Sequence, residues 1–304
     1  MSEQQTRAAG GPPICDYEGS DYQDRFWNQG EREYEDRAEA VAIKRLLPAR
    51  GQRLLEVGAG AGRNTPRYGG FEQIVLLDYS RTQLEQARDA LDKNDRYRFV
   101  AGDVYRLPFA AGVFDGATMI RTLHHMAEPE LALGQVRSVM ARDGIFLLEY
   151  ANKRNLKAIL RWLLGRQEWN PFDQAPVEFV ALNYDFHPAA IRSWLASAGF
   201  HVQRQLTVSH LRQRFLKRLL PTSFLVGVDS LLQWTGDLWQ YSPSVFTRSR
   251  AEGDFVQARG AFWKCPSCGS TAMVEQPEGV QCTSCGLLWP LEDGIYNFKV
   301  HLES

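Results

Sequence analysis

The stretch Leu54-Leu55-Glu56-Val57-Gly58-Ala59-Gly60-Ala61-Gly62 constrains this chain more than any other. A short apolar run feeding a glycine-rich turn reads as a strand passing toward a helix. Its backbone N–H groups can approach a ligand closely because no Cβ intervenes. Dinucleotide and nucleoside sites both use such a turn. The dinucleotide fingerprint needs a third glycine five positions after the first, and that position is Arg63. Glycine recurs instead at every second position, Gly58, Gly60 and Gly62. Glu56 would repel a pyrophosphate at the strand tip, but it suits a ligand that brings an ammonium group there.

Four further apolar runs follow: Ile74 to Leu77, Tyr97 to Val100, Ala117 to Ile120 and Ile145 to Leu148. Between them lie helix-like stretches, Ser80 to Leu91 with Ser80 as N-cap and Glu128 to Met140. Tyr34, Ala38, Val41, Ala42 and Leu46 add an earlier helical face stopped by Pro48. Strands alternating with helices imply crossover connections and a parallel sheet covered on both faces. The expected fold is a doubly wound α/β domain.

Carboxylates recur at the strand tips. Asp78 lies 20 residues after Gly58, where it can accept both ribose hydroxyls of a nucleoside. Asp103 follows the third run and could accept the exocyclic amine of an adenine. With Glu56, these acids beside the glycine turn outline a site for a cationic nucleoside.

On these residues the stretch 51–150 resembles a class I S-adenosylmethionine-dependent methyltransferase. The E-x-G-x-G-x-G turn, Asp78, Gly102-Asp103, Val113-Phe114-Asp115 and Met140-Ala141-Arg142-Asp143-Gly144 carry the likeness. The resemblance implies a Rossmann-like sheet with S-adenosyl-L-methionine as cofactor. It implies that Gly58, Ala59, Gly60 and Gly62 hold the methionine moiety, Asp78 the ribose, and Asp103 and Val104 the adenine, with Tyr79 and Arg121 as further contacts. It covers about a third of the chain and says little about the acceptor.

Methyl transfer from a sulfonium is an in-line displacement that alignment alone can promote, by roughly 7–11 kcal/mol. A hydroxyl acceptor usually needs a base. His124 and His125, in Arg121-Thr122-Leu123-His124-His125, are the first candidates, and structural histidines are also common there. Tyr184 and His187 are weaker ones. Tyr17, Tyr22 and Trp27 resemble an aromatic leader folding over the cofactor, although packing explains them nearly as well. The Asn/Asp-Pro-Pro-aromatic signature of exocyclic-amine and glutamine-amide methyltransferases is missing near Arg121, and so is a cysteine for covalent cytosine chemistry.

Beyond Tyr150 the rhythm breaks into apolar helical faces, at Leu156 to Leu164, Pro188 to Ala198, Leu211 to Leu220 and from Phe224 onward. His201 to Ser209 could be a strand, and Ser244 to Arg248 could return to the sheet. Seven of the eight tryptophans lie in this half, either filling core or lining an apolar acceptor pocket. The net charge of −1 divides into −4 for residues 1–150 and +3 for 151–304. Between Asp185 and Asp229 there is no acid, but there are six bases: Arg192, Arg204, Arg212, Arg214, Lys217 and Arg218. That stretch is either a solvated helix face or an attraction for RNA, phospholipid or a phosphorylated substrate.

Cys265-Pro266-Ser267-Cys268 and Cys282-Thr283-Ser284-Cys285, each followed by glycine, have the spacing of a four-thiolate Zn²⁺ ribbon. Redox disulfides are the rival reading. Cys15 is left over as an ordinary thiol. The run Leu287-Leu288-Trp289-Pro290-Leu291-Glu292-Asp293-Gly294-Ile295 resembles the small zinc-ribbon activator of tRNA, ribosomal RNA and release-factor methyltransferases, here fused in cis, with Tyr296 in place of the customary proline.

The expected organisation is a leader or cofactor lid over 1–30, a methyltransferase domain over 31–260 with a helical acceptor region at about 151–240, and a zinc ribbon over 261–304. No run of 18 apolar residues exists, and the first residues carry no apolar signal core, so the expected location is cytoplasmic. The expected function is methyl transfer to a small-molecule or lipid-like acceptor, with peripheral membrane contact through Leu211 to Leu220 open. An RNA methyltransferase and a non-catalytic scaffold of the same fold are the alternatives.

Overall fold

The computed structural model describes residues 4–7, 12–16, 18, 32–92, 94–253, 260–300 and 302. Tyr17, Tyr22 and Trp27 lie outside the described residues, as does the side chain of Cys15. A small hairpin, β1 (Gln4–Arg7) and β2 (Pro13–Asp16), precedes the first helix, α1 (Glu33–Leu46). Three acids in the first turn of α1 and Lys44 and Arg45 in its last complement the helix dipole. It stops at Leu47, whose extended backbone is what a following proline imposes.

The alternating part follows as anticipated: β3 (Gly51–Val57), β4 (Phe71–Asp78), α2 (Arg81–Ala90), β5 (Tyr97–Ala101), β6 (Phe114–Met119), α3 (Pro129–Val139) and β7 (Met140–Ala151). Ser80 Oγ caps α2 by accepting from the Gln83 N–H. Successive side chains of a strand point to opposite faces, and both faces are buried here. Leu55, Val57, Val75 and Leu77 join one core, whereas Leu54, Ile74 and Leu76 join the other. Two-sided burial explains why these strands read as continuous apolar runs rather than as alternation.

The second half holds α4 (Leu156–Leu163), a hairpin of β8 (Val177–Val180) and β9 (Asn183–Asp185), α5 (Pro188–Ser197), β10 (Phe200–Val208), α6 (Arg214–Leu219), α7 (Thr222–Leu232) and β11 (Ser244–Ala251). Strands β12 (Met273–Gln276), β13 (Gly279–Cys282), β14 (Leu288–Glu292) and β15 (Ile295–Asn297) close the chain.

All but the two small hairpins form one 11-stranded sheet in the order β10-β11-β7-β6-β3-β4-β5-β15-β14-β13-β12. The centre, β7-β6-β3-β4-β5, is parallel, with antiparallel β11 and β10 added beyond β7. At the other edge β15 pairs in parallel with β5, Ile295 opposite Phe99 and Asn297 opposite Ala101. The cysteine-bearing strands therefore extend the main sheet, and Trp263, Val280, Trp289 and Phe298 belong to the same core as Leu55 and Val75. Trp263 stacks on Phe109 at 5.6 Å between ring centres. Helices packed on both faces of a sheet whose centre is parallel make the fold the expected doubly wound α/β type. No helix among the described residues is long and apolar enough to cross a membrane.

Candidate active site

The carboxyl ends of β3, β4, β5 and β6 open into one cavity, with an enclosed volume of about 130 Å³. Its floor is the glycine turn. Gly58 has φ +68°, and a Cβ there would sit 2.3 Å from the Thr122 side chain, so only glycine fits. Gly60 donates its N–H to Asp78 Oδ2 at 2.8 Å, and Ser80 donates its N–H to Oδ1 at 2.9 Å. Two backbone donors thus fix the Asp78 carboxylate at the tip of β4, beside the cavity. Asp103 is held by the Tyr105 N–H at 2.8 Å. Burial lifts its pKa above the usual carboxylate range, against the opposing pull of that N–H and of Arg106.

The cavity brings together Gly58, Gly60, Asp78, Tyr79, Asp103, Val104, Arg121 and His125 from the sequence-derived set. Ala59, Gly62, Glu56 and His124 are not among its lining residues. Gly62, at φ +75°, instead lets the turn close against Ala87 and Leu91. Glu56 faces away from the cavity, accepting from Thr65 Oγ1 at 2.6 Å and Tyr68 Oη at 3.2 Å. Burial pushes its pKa up to about 7, more than these donors and Arg63 lower it. Strand parity decides this: Glu56 shares the face of Leu54 and the second core, while Val57 lines the cavity. Ile14, Leu77, Gln83, Thr122 and Met126 complete the wall without having been singled out by sequence. They are apolar, amide or hydroxyl residues that carry no sequence signal of their own.

Arg121 is the strained member of the site, a non-glycine residue at φ +55°. Its N–H donates to Glu149 Oε2 at 2.9 Å, and its guanidinium grips Glu39 of α1 through Nε at 2.7 Å and through Nη2. Glu39 is also bound by Arg63 at 2.9 Å. Burial opposes its ionisation, but the two arginines outweigh that and hold its pKa down to about 2. This ionic lock over-determines the Arg121 backbone, as strain at a functional site requires.

The two histidines differ. Their rings lie 3.9 Å apart, and burial holds both pKa values below the ordinary imidazole range, so both are neutral at pH 7. His125 Nδ1 lies 3.0 Å from the Leu182 carbonyl. A carbonyl only accepts, so Nδ1 carries the proton and Nε2 is the basic nitrogen. Tyr184 sits in β9, and His187 is occupied in capping α5, its Nδ1 accepting from the Ala189 N–H at 3.1 Å.

At the far edge the sulfurs of Cys265, Cys268, Cys282 and Cys285 all lie within 4.8 Å of one another. The Cys265–Cys285 and Cys268–Cys282 separations are 3.7 and 3.6 Å. A disulfide would need about 2.05 Å, whereas a tetrahedral ion with metal–sulfur bonds of about 2.3 Å separates its sulfurs by about 3.8 Å. The donor set fits such an ion.

Residues 55–148 match the family model described as a methyltransferase domain. The O-methyltransferase cnsE of Penicillium expansum is 35% identical over 101 residues, 32% of this chain and 37% of that protein. The demethylmenaquinone methyltransferase of Clavibacter sepedonicus is 31% identical over 113 residues, 36% of this chain and 46% of that protein. The chain thus spans less than half the length of these two curated relatives. Among solved structures, a chain from the complex between the Haloferax volcanii Trm112 methyltransferase activator and a methyltransferase aligns with a TM-score of 0.54 at 16% identity, covering 77% of this chain and 96% of that one. Residues 55–148 are therefore similar in sequence to methyltransferase domains, and the sheet built around them has the Rossmann-like methyltransferase fold.

Proposed function

We propose that this chain is an S-adenosylmethionine-dependent methyltransferase acting on a small-molecule or lipid-like acceptor. One observation carries the reading: Asp78 and Asp103 stand at adjacent parallel strand ends beside the Gly58–Gly60 turn, around a single cavity. Asp78 accepts the ribose hydroxyls. Asp103 accepts the adenine amine, with Val104 against the ring face. Bound S-adenosylmethionine supplies a methyl group already activated on a sulfonium. The turn at Gly58 and the wall of Arg121 and Thr122 align that end, and His125 Nε2 takes the proton of a hydroxyl acceptor.

An apolar acceptor is supported by the large side chains exposed in the second half. Leu156, Leu160 and Leu163 of α4, Leu164 just after it, Phe215 and Leu219 of α6, and Phe224 and Leu231 of α7 are all exposed. These exposed side chains are compatible with a lipid-like substrate or peripheral membrane contact. An RNA acceptor is less well supported, because the basic stretch is not a free stripe. Lys217 Nζ is tied to Glu35 at 3.0 Å, Arg204 lies 3.5 Å from Asp237, and Arg212 is part-buried.

The four cysteines are proposed to hold structural Zn²⁺, which leaves no open position for catalysis. The ribbon then acts as an activator-like cover in cis, sealing the β5 edge through β15. An exposed parallel edge would otherwise offer unpaired backbone groups.

The test is mass spectrometry of a cell extract treated with enzyme and deuteromethyl cofactor, sorted into metabolite, RNA and protein pools. Label in the organic-soluble metabolite pool is expected. Label confined to RNA would favour the RNA reading, and label nowhere would favour a scaffold.

A further inference from the structure

The cofactor cavity uses only part of the carboxyl edge of the sheet. Outward from β6 the same edge carries Arg121, Glu149 near the end of β7, Ser244 at the start of β11, and the segment 209–212 after β10. β10 runs antiparallel to β11, and β11 to β7, so β10 and β7 point the same way and end on this edge. In open α/β sheets ligands bind outside the carboxyl ends of the strands, and this stretch has no occupant assigned to it.

Arg212 is the anomaly there. Among the described residues three arginines, Arg154, Arg212 and Arg250, have a buried Nε with no hydrogen-bond partner. The terminal nitrogens of Arg250 reach Asp143 and Glu252 at 3.2 and 3.3 Å. The guanidinium of Arg154 lies over the Tyr241 ring at 5.5 Å. Arg212 has no comparable ion pair or ring contact among the described residues. The charges that act on it are Arg121, Glu39, Glu149 and Glu35, and it acts in turn on Asp185.

These acids are otherwise engaged. Glu39 is held by Arg63 and Arg121, and Glu35 by Lys217. Glu149 accepts the Arg121 N–H and the Ser244 hydroxyl at 2.5 Å. Asp185 is pushed by burial up to about 6, against the pull of Arg212. A part-buried arginine whose Nε is sealed from solvent and which lacks a direct counter-ion is costly to a fold, so it points to an anion supplied from outside.

We propose that Arg212 is the oxyanion-binding residue of an acceptor subsite, receiving a carboxylate or a phosphate on the molecule to be methylated. This rests on the reading of the adjoining cavity as the cofactor site. The guanidinium fork matches either oxyanion bidentately. Its electrostatic neighbour Arg121 lines the cavity, so an anion held at Arg212 places the rest of the acceptor beside the cofactor's reactive end. The exposed Phe215 and Leu219 that follow in α6 suit an apolar body attached to that anion.

The test uses the full chain loaded with zinc and S-adenosylhomocysteine, titrated calorimetrically with octanoate, octyl phosphate and uncharged octanamide. At least one anion is expected to bind tenfold or more tightly than octanamide, and the better of the two tells carboxylate from phosphate. Arg212→Gln is expected to abolish that preference, and Arg212→Lys to retain part of it. A wild-type protein that binds neither anion better than octanamide overturns the proposal, as does an Arg212→Gln variant with an undiminished preference. Binding of S-adenosylhomocysteine is measured separately on the same samples. Its absence would defeat the cofactor reading, whatever the anions do.

Discussion

Lys299 Nζ donates to the carbonyl oxygen of Tyr79 at 2.8 Å and lies 4.4 Å from the centre of the Tyr79 ring. Tyr79 follows Asp78 and lines the cavity at the strand ends, whereas Lys299 follows β15 in the cysteine-bearing segment. The chain after β4 and the chain after β15, on either side of β5, are thus linked. Arg81, at the start of α2, strengthens the link by pairing with Glu292 and with Asp293 at 2.9 Å.

Metal removal should therefore be felt at the cofactor site. If the four thiolates hold Zn²⁺ as proposed, its removal loosens the ribbon, since small metal modules depend on their ion to fold. Chelation, or Cys268→Ser, is expected to weaken S-adenosylhomocysteine binding about tenfold or more. Lys299→Met, which leaves the cysteines intact, should weaken it only severalfold, as loss of one charge-assisted contact implies. Calorimetry on zinc-loaded and zinc-free protein checks both, and equal affinities would refute the coupling.

Gly58→Ala tests the floor of the cavity. Its Cβ would meet Thr122 at 2.3 Å, and the residue would also have to hold φ +68°. A tenfold or greater loss of S-adenosylhomocysteine affinity is expected. Adding Thr122→Ala should restore only part of it, because the backbone strain persists. Full restoration would show that the clash alone mattered.

Stability should depend on pH through Glu56 with a definite sign. Its folded pKa, about 7, is raised above the ordinary 4.5. Its contribution is fully present below pH 4.5 and is lost as pH rises through 7. Glu39, depressed to about 2, behaves oppositely: its contribution is present above 4.5 and is lost as pH falls toward 2. Between pH 5 and pH 8, wild type is expected to lose about 2–3 kcal/mol relative to Glu56→Gln. Denaturant titrations of the two proteins at both pH values measure the difference, and a constant gap would contradict it.

His125→Asn should lower methyl transfer to a hydroxyl acceptor by at least a hundredfold, the usual worth of a general base. His124, outside the cavity lining, should matter less to the rate when changed to Asn. Initial rates of methyl incorporation into the acceptor pool decide it. Equal losses in both variants would indicate a packing role for the pair.

Much of this architecture was legible in the chain because its strands are buried on both faces and announce themselves as branched runs. The glycine turn, Asp78 and Asp103 were readable for the same reason, since a strand end fixes where the following residue points. Glu56 depends on what the motif leaves open: one position along a strand flips a side chain to the other face, and the motif alone does not reveal which face opens on the cavity. The hairpin of β8 and β9 was not anticipated, being short, largely exposed and without a tight-turn dipeptide. Contacts such as Lys299 with Tyr79, 220 residues apart, depend on the β5–β15 register and leave no local trace. Arg212 read as one of six bases, and only the folded edge separates it from the others.

The most direct measurement is calorimetric titration of the zinc-loaded chain with S-adenosylmethionine and S-adenosylhomocysteine, with NAD alongside. Saturable one-to-one binding of both sulfur nucleosides is expected, weakened at least tenfold by Asp78→Ala, with no heat from NAD. Silence from both sulfur nucleosides together with a clear NAD isotherm would contradict the account.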